Sequence, residues 1–219
     1  MIDAVLFDFD GTLADTAPDM GEALNLLLSK HDQPPLPLGQ SRPHVSAGAR
    51  GMLEIGFGLT PQHAQYEAMK SEYLALYLEN LYRQTRLFDG IDEVLTALEQ
   101  RAIPWGIVTN KHSRFTTPLL AELKLERRAH CAIFGDSVAQ AKPHPDGLFA
   151  AAREMNLTPS PRIAYVGDDE RDIRAALAAN MTPVAARYGY LGNGIPLAQW
   201  GAKLVIDSPR ELLSTLGID

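Results

Sequence analysis

The sequence predicts an α/β fold: a doubly wound parallel sheet carrying a small helical insertion. Three observations lead there. Six short apolar runs have the length and residue types of buried strands: Ala4 to Phe7, Trp105 to Val108, Cys131 to Phe134, Ile163 to Val166, Thr182 to Ala185 and Leu204 to Ile206. Helical patterns separate most of these runs, and strand alternating with helix implies right-handed crossovers between parallel strands. Between the first run and the second lies a long segment of helices and loops with no strand of its own.

Taken in order, the first strand is Ala4 to Phe7, broken by Gly11 and Thr12, so Asp8 and Asp10 sit where the chain leaves the sheet. In straight extended geometry the two carboxylates share one face. Like charges that close call for a cation or a proton between them. A turn-capping role would account for Asp10 but not for both. "APDMGEALNLLLSKH" is an amphipathic helix, "QPPLPLGQSRP" a Pro-rich break, "SAGARGMLEIGFG" a short helix and "PQHAQYEAMKSEYLALYLENL" a longer one. The expected division is therefore a core of residues 1–14 and 86–219 and a helical domain of residues 15–85, standing over the acidic strand end on two linkers. Such a lid would exclude water from the site. The core helices are "GIDEVLTALEQR", "RFTTPLLAELKL", "PDGLFAAAREM" and "ERDIRAALAA". "YGYLGNGIPLAQWGA" is a loop with two tyrosines and Trp200, placed either to shape the site or to pack the sheet edge.

Composition narrows the partners. The 219 residues carry a net charge of −7 and no Lys/Arg block long enough to track a phosphate backbone, so no nucleic acid is expected. No apolar run reaches the ~18 residues of a membrane span, so no membrane is expected either. The single cysteine, Cys131, lies in the apolar stretch "CAIF" and reads as a core residue in a reducing, cytoplasmic setting. Monomer and homodimer both remain open.

Three more strand ends bear the residues of a phosphate-and-metal site. "GIVTNK" ends in Thr109, Asn110 and Lys111; "AQAKPHP" places Lys142 before a proline; "IAYVGDDERDI" ends in Asp168 and Asp169, with Asp172 one turn into the next helix. A hydroxyl and nearby backbone N–H groups bind phosphate oxygens, a lysine neutralises them, and carboxylates beside Gly167 hold a hard cation. With oxygen ligands and no Cys/His cluster, Mg²⁺ is the candidate cofactor. Each residue also has an ordinary reading: Thr109 as a helix cap, Lys142 as a surface lysine, Asp169 and Asp172 as first-turn acids. Their common position after strands of one parallel sheet favours a site.

Asp8-Phe9-Asp10-Gly11-Thr12, the strand-ending Thr109, Lys142, and Gly167-Asp168-Asp169 with Asp172 resemble, in order, the four motifs of the haloacid dehalogenase-like hydrolase superfamily. The helical insertion after the first motif resembles the first of its cap types, and the implied core is Rossmann-like. Within it the chain resembles the phosphoglycolate phosphatase group. The stretches "VSAGARGML", "WGIVTNK", "VGDDERDI" and "ARYGY" are similar to those of bacterial phosphatases acting on N-acetylmuramic acid 6-phosphate.

The resemblance implies a Mg²⁺-dependent phosphomonoesterase with a small-molecule phosphate ester as substrate. Asp8 would be the nucleophile that forms an aspartyl-phosphate, Asp10 the general acid and base, and Lys142 the charge-offsetting lysine. Asp8, the Asp10 carbonyl and Asp168 would ligate the metal, with Asp169 and Asp172 acting through its outer shell. Thr109 and Asn110 would bind the phosphoryl group, while Thr12 either joins them or ties the turn. Gly48 allows close approach and Arg50 offers a planar donor, so both are candidate substrate contacts from the cap. A phosphomutase shares the two aspartates. A receiver-like phospho-acceptor shares the aspartyl-phosphate but places its acceptor on a later strand. A catalytically dead binding protein conflicts with the complete motif set.

Overall fold

A computed structural model describes residues 2–192 and 194–218. The strands among them are β1 (Ala4–Phe7), β2 (Ala14–Asp15), β3 (Arg86–Leu87), β4 (Trp105–Val108), β5 (Ala132–Ile133), β6 (Ile163–Gly167), β7 (Thr182–Ala186) and β8 (Leu204–Ile206). Six form one parallel sheet in the order β5-β4-β1-β6-β7-β8, as the strand and helix alternation predicts. The helices are α1 (Ala17–Lys30), α2 (Leu38–Ser41), α3 (Gly48–Phe57), α4 (Tyr66–Glu79), α5 (Ile91–Gln100), α6 (Ser113–Glu122), α7 (Asp146–Glu154), α8 (Glu170–Ala178) and α9 (Glu211–Thr215). No helix among the described residues is long and apolar enough to cross a membrane.

Helices cover both faces of the sheet, which is why its strands are continuous apolar runs rather than alternating ones. Val5 and Phe7 of β1 pack in one cluster with Val94 and Leu98 of α5 and Leu119 of α6. Ala4 and Leu6, pointing the other way, pack with Ala151 of α7 and Ala175 of α8. The chain builds outward from β1 to β5 on one side, then crosses back to β6 and builds to β8 on the other. That reversal flanks β1 and opens a crevice at its carboxyl end.

Helices α1 to α4 have an apolar cluster of their own, in which Leu24 and Leu27 of α1 meet Met52 of α3 and Tyr73 and Tyr77 of α4. Phe115 and Tyr190, from the sheet's side, complete it. The two chain passages into and out of this helical unit pair as an antiparallel ribbon, Ala14 opposite Leu87 and Asp15 opposite Arg86. The buried Asp19 carboxylate adds a second tie. It accepts the backbone N–H groups of Arg83, Gln84 and Thr85 at 3.1, 2.7 and 3.0 Å and the Thr85 hydroxyl at 2.7 Å.

The structure departs from the sequence reading in four places. The β2–β3 ribbon was not expected, because two-residue strands leave no periodic signal. Within the Pro-rich stretch, Leu38–Ser41 is helical and runs on as a 3₁₀ helix over Arg42–Ala47. Pro43 falls in the first turn there, where a missing N–H costs nothing. A short C-terminal helix, α9, covers the sheet edge. Finally, β1 stops at Phe7, and the Phe9 carbonyl accepts the N–H groups of Thr12, Leu13 and Ala14. Asp8 and Asp10 are therefore presented from a turn rather than from one face of a pleat.

Asp19→Ala removes an acceptor from three backbone N–H groups and a hydroxyl. It is expected to lower the free energy of unfolding by about 3 kcal/mol in urea titration. A loss below about 0.5 kcal/mol, the range of ordinary surface substitutions, would show that the ribbon alone holds the linkers.

Candidate active site

Phe7 of β1 lies opposite Ile107 of β4 and Val166 of β6, so the three strands end nearly level. Asp8, Thr109 and Asp168 follow them directly, and Lys142 enters from the loop between β5 and α7. The Lys142 ammonium stands 2.8 Å from Asp8 Oδ1 and 2.7 Å from Asp172 Oδ1. It also donates to the Val108 carbonyl at 3.1 Å and to the Tyr165 hydroxyl at 2.7 Å. Asn110 fixes the lysine's main chain from both sides, its Nδ2 donating to the Lys142 carbonyl at 3.0 Å and its Oδ1 accepting the Lys142 N–H at 2.9 Å.

Asp8, Asp168 and Asp172 are all buried, and each offers an oxygen within 4.8 Å of the other two. The Thr12 hydroxyl donates to Asp168 Oδ1 at 2.9 Å, and the Tyr190 N–H donates to Oδ2 at 2.8 Å. Thr12 thus ties the cluster rather than facing the crevice. Two glycines make the crowding possible. A Cβ at Gly11, where φ is +83°, would lie 2.1 Å from Asp168 Oδ2, and one at Gly167 would lie 2.3 Å from the Asp172 Cβ.

The electrostatics follow from three buried acids, only two of which, Asp8 and Asp172, pair with the one buried ammonium. Burial pushes Asp8 up to about 7, against the pull of Lys142 and with the push of Asp172. Burial, together with the charges of Asp8 and Asp172, holds Asp168 well above the usual carboxylate range. For Lys142, burial favours the neutral form, but Asp172 and Asp8 outweigh it and raise the ammonium above its ordinary value. Asp8 Oδ1 is ion-paired yet makes no well-aligned hydrogen bond. A compact set of carboxylate oxygens short of positive charge fits a hard divalent cation.

Asp10 is held separately. Its Oδ1 accepts the Thr16 hydroxyl at 2.5 Å and the Lys111 ammonium at 2.9 Å, and Lys111 lies 4.7 Å over the Tyr77 ring. The two strand-end aspartates are thus each paired with a lysine of their own. Asp169 caps α8. Its carboxylate accepts the Arg171 N–H at 2.9 Å and pairs with the guanidinium at 2.7 and 3.0 Å. Those Arg171 contacts outweigh burial and keep Asp169 below the usual range. Asp172 completes the capping box by accepting the Asp169 N–H at 3.0 Å, while its other oxygen faces Lys142. Of the two acids expected in the outer shell, Asp172 lies in the carboxylate cluster with Asp8 and Asp168, and Asp169 is paired with Arg171.

A cavity of about 170 Å³ lies over these groups, with Asp8, Asp10, Thr109, Asn110 and Lys142 below and Ser46, Ala47 and Gly48 of the insertion above. Arg171 joins the two sides, donating to the Ser46 carbonyl at 2.6 Å. Arg50 is exposed and lies outside this cavity, on the walls of two neighbouring ones. The sequence reading gave no role to Lys111, Tyr165 or Arg171. Lys111 carried a signal, its place three residues past the end of β4. Tyr165 and Arg171 looked like an ordinary strand aromatic and an ordinary helix arginine.

The model of the haloacid dehalogenase-like hydrolase family matches residues 5–186. An N-acetylmuramic acid 6-phosphate phosphatase of Pseudomonas aeruginosa is 39% identical over 213 residues, spanning 97% of this chain and 94% of the relative. A phosphoglycolate phosphatase of Xanthomonas campestris is 44% identical over 210 residues, spanning 95% and 94%. Among solved structures, one described as a predicted phosphoglycolate phosphatase of Haemophilus somnus superposes with a TM-score of 0.85 at 26% identity, covering 97% of each chain.

The raised pKa of Asp8 sets a direction for stability. The cluster's contribution is full below the ordinary carboxylate value of 3.8 and is lost as pH rises toward about 7. A cation that neutralises the cluster restores it. Millimolar Mg²⁺ is therefore expected to raise Tm more at pH 8 than at pH 5 in thermal melts. Equal shifts, or none at pH 8, would count against the three carboxylates as a cation site.

Proposed function

The chain belongs to the haloacid dehalogenase-like hydrolases and is a phosphatase of that family, and on that premise we propose that it hydrolyses a small organic phosphate monoester by attack of Asp8 on phosphorus. The observation that carries this reading is the buried Asp8, paired with Lys142 at the floor of a cavity that Asp10 also lines. The Asp8 carboxylate forms a bond to phosphorus as the bond to the alcohol oxygen breaks, giving an aspartyl-phosphate. Asp10 supplies the proton to the departing oxygen, then takes one from the water that hydrolyses the acyl phosphate, so one carboxyl serves both halves.

Lys142 pulls the attacking carboxylate toward its ionised form, against burial, and offsets charge as the two anions meet. The Thr109 hydroxyl accepts the Lys111 N–H at 3.1 Å, which leaves its proton for a phosphoryl oxygen. The Asn110 side chain is spent on Lys142, so its share in phosphoryl binding falls to its main-chain N–H. Asp8, Asp168, Asp172 and the Asp10 carbonyl would hold Mg²⁺, with Asp169 steering the shell around it through Arg171. When bound, the ion neutralises the phosphoryl oxygens. Residues 15–85 act as a cap over the core, and Gly48 brings its backbone close to the cavity. The names of the relatives support two substrates, 2-phosphoglycolate and N-acetylmuramic acid 6-phosphate.

Phosphate release with Mg²⁺ from both esters tests the reading. Asp8→Asn is expected to abolish turnover, and Asp10→Asn to lower kcat by about 10²–10⁴. A retained rate in Asp8→Asn would remove it as the nucleophile.

A further inference from the structure

The phosphoryl cavity, of about 170 Å³, has a neighbour of about 330 Å³ on the side of α8. The two share four wall residues, Ser46, Ala47, Asp169 and Arg171. Three of these are bonded in series. The Asp169 carboxylate accepts from the Arg171 guanidinium at 2.7 and 3.0 Å, and the nitrogen that makes the longer of these contacts also donates to the Ser46 carbonyl at 2.6 Å. The partition between the cavities is therefore a chain of charge-assisted hydrogen bonds running from α8 to the helical insertion.

Both ends of the chain are firmly set. On the core side Asp169 caps α8, and its N–H donates to Asp172, whose other oxygen faces Lys142 at 2.7 Å. On the insertion side the Gly48 N–H donates to the Val45 carbonyl, and a Cβ at Gly51 would lie 2.3 Å from the His44 carbonyl oxygen. The first turn of α3 is thus packed directly on residues 44–47, and a hold on Ser46 is a hold on the whole corner. Tyr190 and Asp10 bond to the insertion at its connecting passage, through Thr16 and Ala17. Arg171 instead engages the part that stands over Asp8 and Asp10.

We infer that Arg171 is a positioning residue: by bridging Asp169 and the Ser46 carbonyl it fixes the Ser46–Gly48 corner over the phosphoryl cavity and closes that cavity against the water of its neighbour. Its kinetic consequence rests on the phosphatase reading. Without the bridge the two cavities join, the departing alcohol loses a fixed wall, and water weakens the charge interactions at Asp8. An ester whose alcohol must be held while Asp10 protonates it loses most. p-Nitrophenyl phosphate, whose leaving group departs without a proton, loses least.

Hydrogen exchange of the full chain with Mg²⁺ reads the corner directly. Arg171→Ala is expected to speed exchange of the amides of residues 44–51 about tenfold, the size of one hydrogen bond to a charged group, with β4 and β6 unchanged. Arg171→Lys keeps a charge beside Asp169 but cannot span both partners, and is expected to speed the same amides at least about threefold. Arg174→Ala, which removes an exposed arginine of the same helix, is expected to leave them as they are. In phosphate-release assays, one ester is p-nitrophenyl phosphate and the other is whichever of 2-phosphoglycolate and N-acetylmuramic acid 6-phosphate the wild type turns over faster. Arg171→Ala is expected to lower kcat/KM for the second at least about fivefold more than for the first, whereas a general loss of stability would lower both equally. Unchanged exchange at residues 44–51 in both Arg171 variants, or an equal fall on both esters, overturns the inference and leaves the phosphatase reading intact. Release from no ester above the Asp8→Asn level overturns the phosphatase reading, and the exchange rates then decide the bridge by themselves.

Discussion

The contact on which the rest of the site depends is the ion pairing of Lys142 with Asp8 and Asp172 inside the protein. An ammonium and carboxylates this far from water are tolerated only if every remaining valence is met, because a lone buried charge destabilises by several kcal/mol. For the ammonium the protein meets that condition with parts drawn from separate strands. The Val108 carbonyl at the end of β4 and the Tyr165 hydroxyl on β6 accept from the ammonium, and Asn110 holds the main chain behind it. The site thus exists only when the parallel sheet is assembled, and its geometry is as rigid as the sheet.

Several residues carry a structural and a chemical duty at once, which explains why each had two readings in the sequence. Asp169 and Asp172 are first-turn acids of α8 joined in a capping box. Asp172 nonetheless turns its second oxygen to Lys142, and Asp169 holds the arginine that reaches the insertion. The two readings were never exclusive, since a helix that starts at the end of a buried strand needs acids at its first turn and a cation site needs them there too.

The sheet was legible because its strands are buried on both faces and so leave continuous apolar runs; the predicted bounds of β1, β4 and β8 match the observed ones. The strand-end aspartates and Lys142 were legible from their residue types and from following those runs. What escaped was anything set by tertiary pairing alone. The β2–β3 ribbon rests on two residues per strand, and the Asp19 tie joins positions more than sixty apart. The assignment of Lys111 to Asp10 and of Lys142 to Asp8 likewise depends on where two loops meet, which no local pattern encodes. Arg50, read as a contact from the cap, faces chambers beside the phosphoryl cavity rather than the cavity itself.

The helical unit and the acidic cluster are also joined through Tyr190, in the loop read from the sequence as either shaping the site or packing the sheet edge. The Tyr190 N–H holds Asp168 at 2.8 Å, while its hydroxyl accepts the N–H groups of Thr16 and Ala17 at 2.8 and 3.0 Å and donates to Asp15 at 3.0 Å. Asp15 in turn grips Arg42 of the insertion by two hydrogen bonds of 2.9 Å. Thr16, one residue on, bonds to Asp10. Any rotation of the insertion about the β2–β3 ribbon must act on Thr16 and Asp15, and through them on Asp10 and on the residue that positions Asp168. The connection between the helical unit and the sheet is therefore built from the same hydrogen bonds that orient Asp10 and Asp168.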